Sequence, residues 1–176
     1  KQSGADTVIT GNWGQDMALL FKAAKDAGLN VNWYTYYAGA SGTPTAMGTW
    51  GEGKVRVVYV HHPNLPSTRK LVDDFHTKHK EDMSSLTIGH AINVLAGGIA
   101  KAKSTDPVKV AKAMEGLTVK SFSGDVTMRG SDHQLQQTLY AMTWKKKDAK
   151  NSYDVENTGM TWAPDKVFEP YVSSTP

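Results

Sequence analysis

His76 and His79 stand three residues apart, with Asp73 three residues before His76. On a helix that spacing gathers two imidazoles and a carboxylate on one side, a set able to hold Zn2+ or Ni2+. Lys78 and Lys80 would repel a dication and no third strong ligand stands near, so a solvated helix face is the better reading and no metal site is expected. His61 and His62 close a strand-like run; neighbours on a strand point to opposite faces and do not chelate together. Ser, His and Asp all occur, but the chain has no G-x-S-x-G elbow, no H-E-x-x-H, no Walker A loop and no G-x-G-x-x-G. Cysteine is absent, which removes thiol catalysis, thiolate metal sites and disulfides. No catalytic residue and no cofactor is assigned, and the chain is not read as an enzyme. A metal-dependent hydrolase would need His76 and His79 to recruit ligands from elsewhere.

Binding chemistry is better represented. Gly11-Asn12-Trp13-Gly14 follows a short β-branched run and precedes a helical pattern. In an α/β sheet that is the carboxyl end of a strand, where ligands bind, and the helix start offers free N–H groups to an anion such as a carboxylate. A tight turn with a packed Trp13 fits the same residues equally well. The second constellation is Trp33-Tyr34-Thr35-Tyr36-Tyr37 running into Ala38-Gly39. Aromatic walls beside small residues suit an apolar or aromatic solute. Core packing accounts for Trp33 and Tyr34, less well for the adjacent rings of Tyr36 and Tyr37.

These groups need elements to hold them. Thr7–Thr10 reads as a buried strand. Met17, Leu20, Phe21, Ala24 and Ala27 form the apolar stripe of a helix over about 15–27, with Asp16 in its first turn and Gly28 after its end. Val31–Tyr37 is a second strand, so the first 37 residues spell a βαβ unit with parallel strands. A short helix from Thr43-Pro44 through Met47 and a third strand over 54–60 follow, and His61–Pro66 breaks the pattern. Three helices come next: one capped by Ser67, one with the stripe Ile88, Ala91, Ile92, Leu95, Ile99 and Ala102, and one opened by Asp106-Pro107 and stopped by Gly116. Val126 and Met128 then alternate with polar residues. Leu135–Trp144 reads as one longer strand, joined to them by a hairpin turn at Arg129–His133. The tail carries Tyr153, Val155, Trp162, Phe168 and Tyr171 and is expected to pack as an extended segment without a helix or long strand.

Hydrophobic residues make up 39% of the 176 and charged residues 21%, enough for a packed core. The net charge of +3 is a weak field, and the lysines lie on helical faces and in one loop without interleaved aromatics, so no nucleic-acid partner is expected. No apolar run reaches the length of a membrane span, and direct membrane insertion is not expected.

Two long segments resemble a known family. GADTVITGNWGQDMALLFKAAKDAGL is similar to a stretch in the second half of periplasmic branched-chain amino-acid binding proteins, and DPVKVAKAMEGLTVKSFSGDVTMRGSDHQLQQTLYAMTW resembles their C-terminal signature of a helix followed by a hairpin. These are extracytoplasmic solute receptors of ABC importers, related to leucine/isoleucine/valine-binding proteins. The resemblance implies an α/β fold: parts of two doubly wound, flavodoxin-like lobes of a type I periplasmic binding protein, this chain being its C-terminal half. It implies that residues 1–60 belong to lobe 2, that 61–146 complete lobe 1, and that 147–176 return to lobe 2. It implies a small-molecule solute bound by lobe closure, a membrane permease as partner and a periplasmic location. Asn12, Trp13, Tyr36, Tyr37, Ala38 and Gly39 match the second lobe's ligand contacts. Amino-acid-binding members carry an acidic residue near the last of these, paired with the ligand's ammonium. Tyr36–Ala40 has no carboxylate, which points from a branched-chain amino acid toward an amide, urea or an aromatic carboxylate. A sensor of the same fold is the alternative role. Half of such a protein would leave the strands at Thr7 and Trp144 as unpaired edges, so an edge-paired or swapped oligomer is expected of this chain.

Overall fold

The computed structural model describes residues 2–39, 42–83 and 86–170. The part of the tail at 171–176, including Tyr171, lies outside the described residues. The fold is mixed α/β and divides into two compact units, Lys1–Ser84 with Tyr140–Val167, and Ser85–Leu139 with Phe168–Pro176.

The first unit is built on five strands. β1 (Thr7–Thr10), β2 (Asn32–Thr35) and β3 (Val55–Tyr59) run parallel, and β7 (Leu139–Lys146) and β8 (Met160–Phe168) complete the sheet order β1-β2-β3-β7-β8. Thr10 faces Thr35 across the first pair, and Thr35 faces Val57 across the second. β7 is antiparallel to β3, with Tyr59 opposite Tyr140. Helix α1 (Gly14–Asp26) is the crossover between β1 and β2, and it buries Met17, Phe21 and Ala24. Each large apolar side chain so buried contributes about 1.5–3 kcal/mol. Phe21 meets Trp33 edge-on at 5.3 Å, and Trp33 alternates inward while Tyr34 points outward under the Arg56 guanidinium. Helix α2 (Thr43–Met47) and the 3-10 turn Gly48–Gly51 lead into β3. Helix α3 (Pro66–His79) starts at Leu65 with Pro66 in its first turn. Ser67 is therefore inside the helix and does not cap it; proline at the first helical position fixes the start instead.

Three expectations change here. The compact units part at Ser84, so 61–84 goes with the first unit: Val72 lies in its core cluster and Asp82 accepts from Tyr153 Oη at 2.8 Å. Trp144 is not at an edge, because β7 lies between β3 and β8; β1 is the edge strand, with Ile9 83% exposed. The tail forms a long strand after all. β8 has nine residues, and its first half is buried.

The second unit contains α4 (Leu86–Ala102), α5 (Pro107–Met114) and a sheet of β4 (Thr118–Ser121), β5 (Gly124–Met128) and β6 (Leu135–Gln136) in antiparallel order. Asp106 caps α5 by accepting from the Lys109 N–H at 2.9 Å. The segment read as one strand over Leu135–Trp144 is divided. Gln137 and Thr138 interrupt it, and β6 and β7 enter different sheets. The buried face of α4 is Leu86, His90, Val94 and Gly98, whereas Ile88, Ile92 and Leu95 of the sequence stripe remain exposed. His90 is a satisfied core histidine, with Nδ1 2.9 Å from Gln137 Oε1 and Nε2 3.1 Å from Ser123 Oγ. No described helix is long and apolar enough to cross a membrane.

Candidate functional site

β1, β2 and β3 are parallel, so the segments that leave their carboxyl ends emerge along one edge of the first unit's sheet. Those segments are Gly11–Trp13, Tyr36–Gly39 and the residues after Tyr59. Both constellations singled out in the sequence therefore share an edge. The turns are also tied directly: Thr43 Oγ donates to the Gly14 carbonyl at 3.4 Å.

At the end of β1, the Asn12 side chain is held in its own turn. Its amide oxygen accepts from Thr10 Oγ, its amide nitrogen donates to Asp16, and its backbone N–H donates to Thr10 Oγ at 3.2 Å. One amide N–H and one oxygen lone pair remain for a ligand. Gly14 takes φ of 56°, the left-handed region that opens the turn into α1. Trp13 is the N-cap residue of α1 and is 70% exposed, so it is not a packed turn residue. The free N–H groups of α1 already have a counter-charge in Asp16, in the first turn. That weakens the expectation of a ligand carboxylate at this helix start and leaves the Trp13 ring as the available surface.

At the end of β2, the strand stops at Thr35 and alternation no longer governs the next side chains. Tyr36 and Tyr37 consequently meet each other edge to face, 4.7 Å between centroids, and Tyr36 meets Tyr59 in the same way at 5.6 Å. Tyr36 is 38% and Tyr37 45% exposed. Desolvation, then the neighbouring Tyr59 and Tyr37, push the Tyr36 hydroxyl above its usual range, so it stays a neutral donor at physiological pH. Ala38 is fully buried, its N–H toward Thr35 Oγ at 3.4 Å, and Gly39 leaves the turn without a side chain.

Tyr59 was not singled out in the sequence, although the shared direction of β2 and β3 would have found it. Glu156 carried no signal at all. It comes from the tail to the residues just after the Tyr36–Gly39 turn, where its carboxylate accepts from Gly42 N–H at 2.6 Å and from Thr45 N–H at 2.8 Å and hydroxyl at 2.6 Å. A carboxylate thus does stand near the turn, but its oxygens are committed to the start of α2.

The histidine pairs do not form a second site. His61 Nε2 pairs with Thr68 Oγ at 2.9 Å, and His62 packs edge-on against Tyr140 at 4.9 Å; both are buried. His79 lies on Phe75, while His76 is turned partly inward, 3.9 Å from Asp82 and beside the Tyr153 ring, rather than freely toward solvent. Among the described residues no group of three or more His, Asp or Glu is placed to hold a metal ion. A shallow groove on the outer face of α1, lined by Ala18, Leu19, Lys22 and Ala46, is separate from the ring cluster.

Residues 1–150 match the family described as periplasmic binding protein. Leu/Ile/Val-binding protein homolog 4 of Brucella melitensis is 28% identical to this chain, over 94% of it and 41% of the relative. The crystal structure of a leucine-, isoleucine-, valine-, threonine- and alanine-binding protein from Brucella ovis superposes with a TM-score of 0.79 at 25% identity, covering 96% of this chain and 44% of that one. A solute-binding protein of an ABC transporter from R. palustris, solved with 4-hydroxybenzoate, gives a TM-score of 0.74 at 19% identity over 96% and 46%. The chain thus spans less than half the length of these relatives.

Proposed function

The chain belongs to the periplasmic binding protein family, and we propose that the carboxyl edge of β1, β2 and β3 is the solute-facing surface of a receptor that serves an ABC importer. Its place is then the periplasm and its partner the importer's permease. The solute lies against Trp13, Tyr36 and Tyr37, with Asn12 offering its remaining amide groups and Ala38 and Gly39 making room. It is closed over by the rest of the longer protein. Residues 1–60 and 147–170 then belong to lobe 2, and 85–139 to lobe 1; the placement of 61–84 in the first unit extends lobe 2 to about residue 84. Nothing in this arrangement is a nucleophile beside a base, and the role is binding without catalysis.

One observation carries the choice of solute. Exposed rings stand at the ends of adjacent parallel strands, and the carboxylate near them is already capped onto backbone. An ammonium would find no free anion there, whereas a flat solute would find ring faces. An aromatic carboxylate or amide fits, and a protein of the same fold holds 4-hydroxybenzoate.

The test is an NMR titration of the 176-residue chain with 4-hydroxybenzoate, benzamide and leucine at millimolar concentration. The aromatic solutes should shift the ring signals of Trp13, Tyr36 and Tyr37, and leucine should not. Removing the Tyr37 ring in Y37A should weaken binding about 2–10-fold, the worth of one aromatic contact. Leucine binding at least as tightly as the aromatic solutes would refute the reading, as would no shift with any of them.

A further inference from the structure

The first unit holds a buried donor with no partner beside the proposed solute surface. Trp162 lies in β8, only 4% exposed, and its indole Nε1–H has no hydrogen-bond partner. Buried N–H groups are almost always paired, and leaving one dry costs about 1–3 kcal/mol. The ring cannot turn away to find a partner. It is packed on Trp144 at 4.8 Å between centroids, and its backbone carbonyl accepts from Asn64 Nδ2 at 3.2 Å. Trp144 is no alternative acceptor, because an indole only donates, and its own Nε1–H already goes to the Gly48 carbonyl at 2.7 Å.

The direction of the unused donor is given by Gly39. A Cβ built on Gly39 would lie 3.7 Å from Trp162 Nε1, with no other described atom within 4 Å. The space in front of the N–H is therefore the space that a side chain at 39 would fill, directly after Tyr36, Tyr37 and Ala38. Gly39 does not have a left-handed φ. Glycine is thus not required here for backbone reasons, and the absence of a side chain leaves the indole open to a small acceptor.

We propose that Trp162 Nε1–H, reached past Gly39, is the donor that receives an oxygen of the bound solute, a carboxylate or carbonyl. This rests on the reading of the Tyr36–Gly39 turn as part of the solute surface and adds to it a directional contact. The rings of Trp13, Tyr36 and Tyr37 recognise a flat body; the indole selects a solute whose polar oxygen can pass the glycine. A fully apolar ring system would leave the donor unpaired and bind worse for that reason.

The chain has five tryptophans and so five indole N–H signals, which makes the proposal readable directly. The signal that vanishes in W162F is assigned to Trp162. Titration with benzoate should move that signal downfield together with the Tyr36 and Tyr37 ring signals. W162F keeps an aromatic ring without the donor and should weaken benzoate binding about 5–10-fold. G39A adds only a methyl at an ordinary contact distance, so the fold is expected to hold; it should lower benzoate affinity comparably and suppress the Trp162 shift. Shifts of the tyrosine rings with an unmoved Trp162 indole, or unchanged affinity in both W162F and G39A, would overturn the proposal while leaving the solute surface standing. If neither the tyrosines nor Trp162 respond to benzoate, 4-hydroxybenzoate or benzamide, the solute surface itself is wrong and the proposal falls with it.

Discussion

His62 shows how a single side chain sets a pH dependence for the first unit. It lies just past the end of β3, buried, with its ring edge against Tyr140 and its Nδ1 unpartnered. Burial lowers its pKa from 6.5 to about 4, because the imidazolium would lose its water and gain no acceptor there. The folded pKa lies below the unfolded one, so the unfolded chain binds the proton more readily. The stability that depends on neutral His62 is complete above pH 6.5 and is lost as pH falls from there toward 4. The loss should amount to about 1–3 kcal/mol. Asp132, Asp148 and Asp165 have pKa values lowered from 3.8, so what they contribute is lost at more acid pH. Thermal melts between pH 7 and 4.5 should therefore fall in the parent chain and fall less in H62F, which keeps the ring contact with Tyr140 and removes the titrating nitrogen. An equal slope in both proteins would show that burial at 62 is not the cause.

At the scale of elements, what could be read from the sequence was whatever local periodicity determines. The α1 stripe of Met17, Phe21 and Ala24, the Asp106 cap and the βαβ start are all decided within about ten residues, and each stands where the pattern placed it. β4 was missed because Thr118–Ser121 has one apolar residue in four and gains its strand from pairing with β5, Val119 opposite Val126. β8 was missed for the same reason: its outer half is exposed, and only a place in the sheet made it a strand. In the candidate site, Asn12, Trp13 and Tyr36–Gly39 were legible because strand-end turns announce themselves, whereas Glu156 and Trp162 arrive from the tail by tertiary packing that no local pattern encodes. The α4 glycines are also tertiary features. A Cβ on Gly89 would sit 2.1 Å from Phe122 Cε2, and one on Gly98 would sit 2.5 Å from Met114 Cγ. G89A must push the Phe122 ring off the helix and should destabilise the second unit by about 1–3 kcal/mol, although alanine is the better helix former. Urea unfolding followed by hydrogen exchange in α4 and β5 would check this. A variant at least as stable as the parent would mean that Phe122 repacks without cost.

The whole molecule carries two surfaces that its own residues leave uncovered. Ile9 stands 83% exposed on edge strand β1, and on α4 Ile88, Ile92, Leu95 and Ile99 are exposed by 62%, 58%, 45% and 37%. Those four follow helix spacing, so they form one continuous stripe, and an apolar helical stripe normally faces a core. The relatives that this chain matches are more than twice as long, so their remaining residues outnumber the ones aligned here. In the 176-residue chain alone, a second copy is the available cover for both surfaces. Edge strands pair with other edges, and aligned apolar stripes exclude water between them. Sedimentation velocity should therefore show an average mass that rises with concentration. I92K places a charge in the middle of the stripe, and I9K places one on the open edge, which is how edge strands are kept from pairing. Neither side chain belongs to a buried core, so both variants should keep the parent's melting temperature while shifting the population toward monomer, the pair together more than either alone. A parent chain that stays monomeric at all concentrations would show that neither the β1 edge nor the α4 stripe is adhesive as exposed here. Self-association untouched by both lysines would place the contact elsewhere on the molecule.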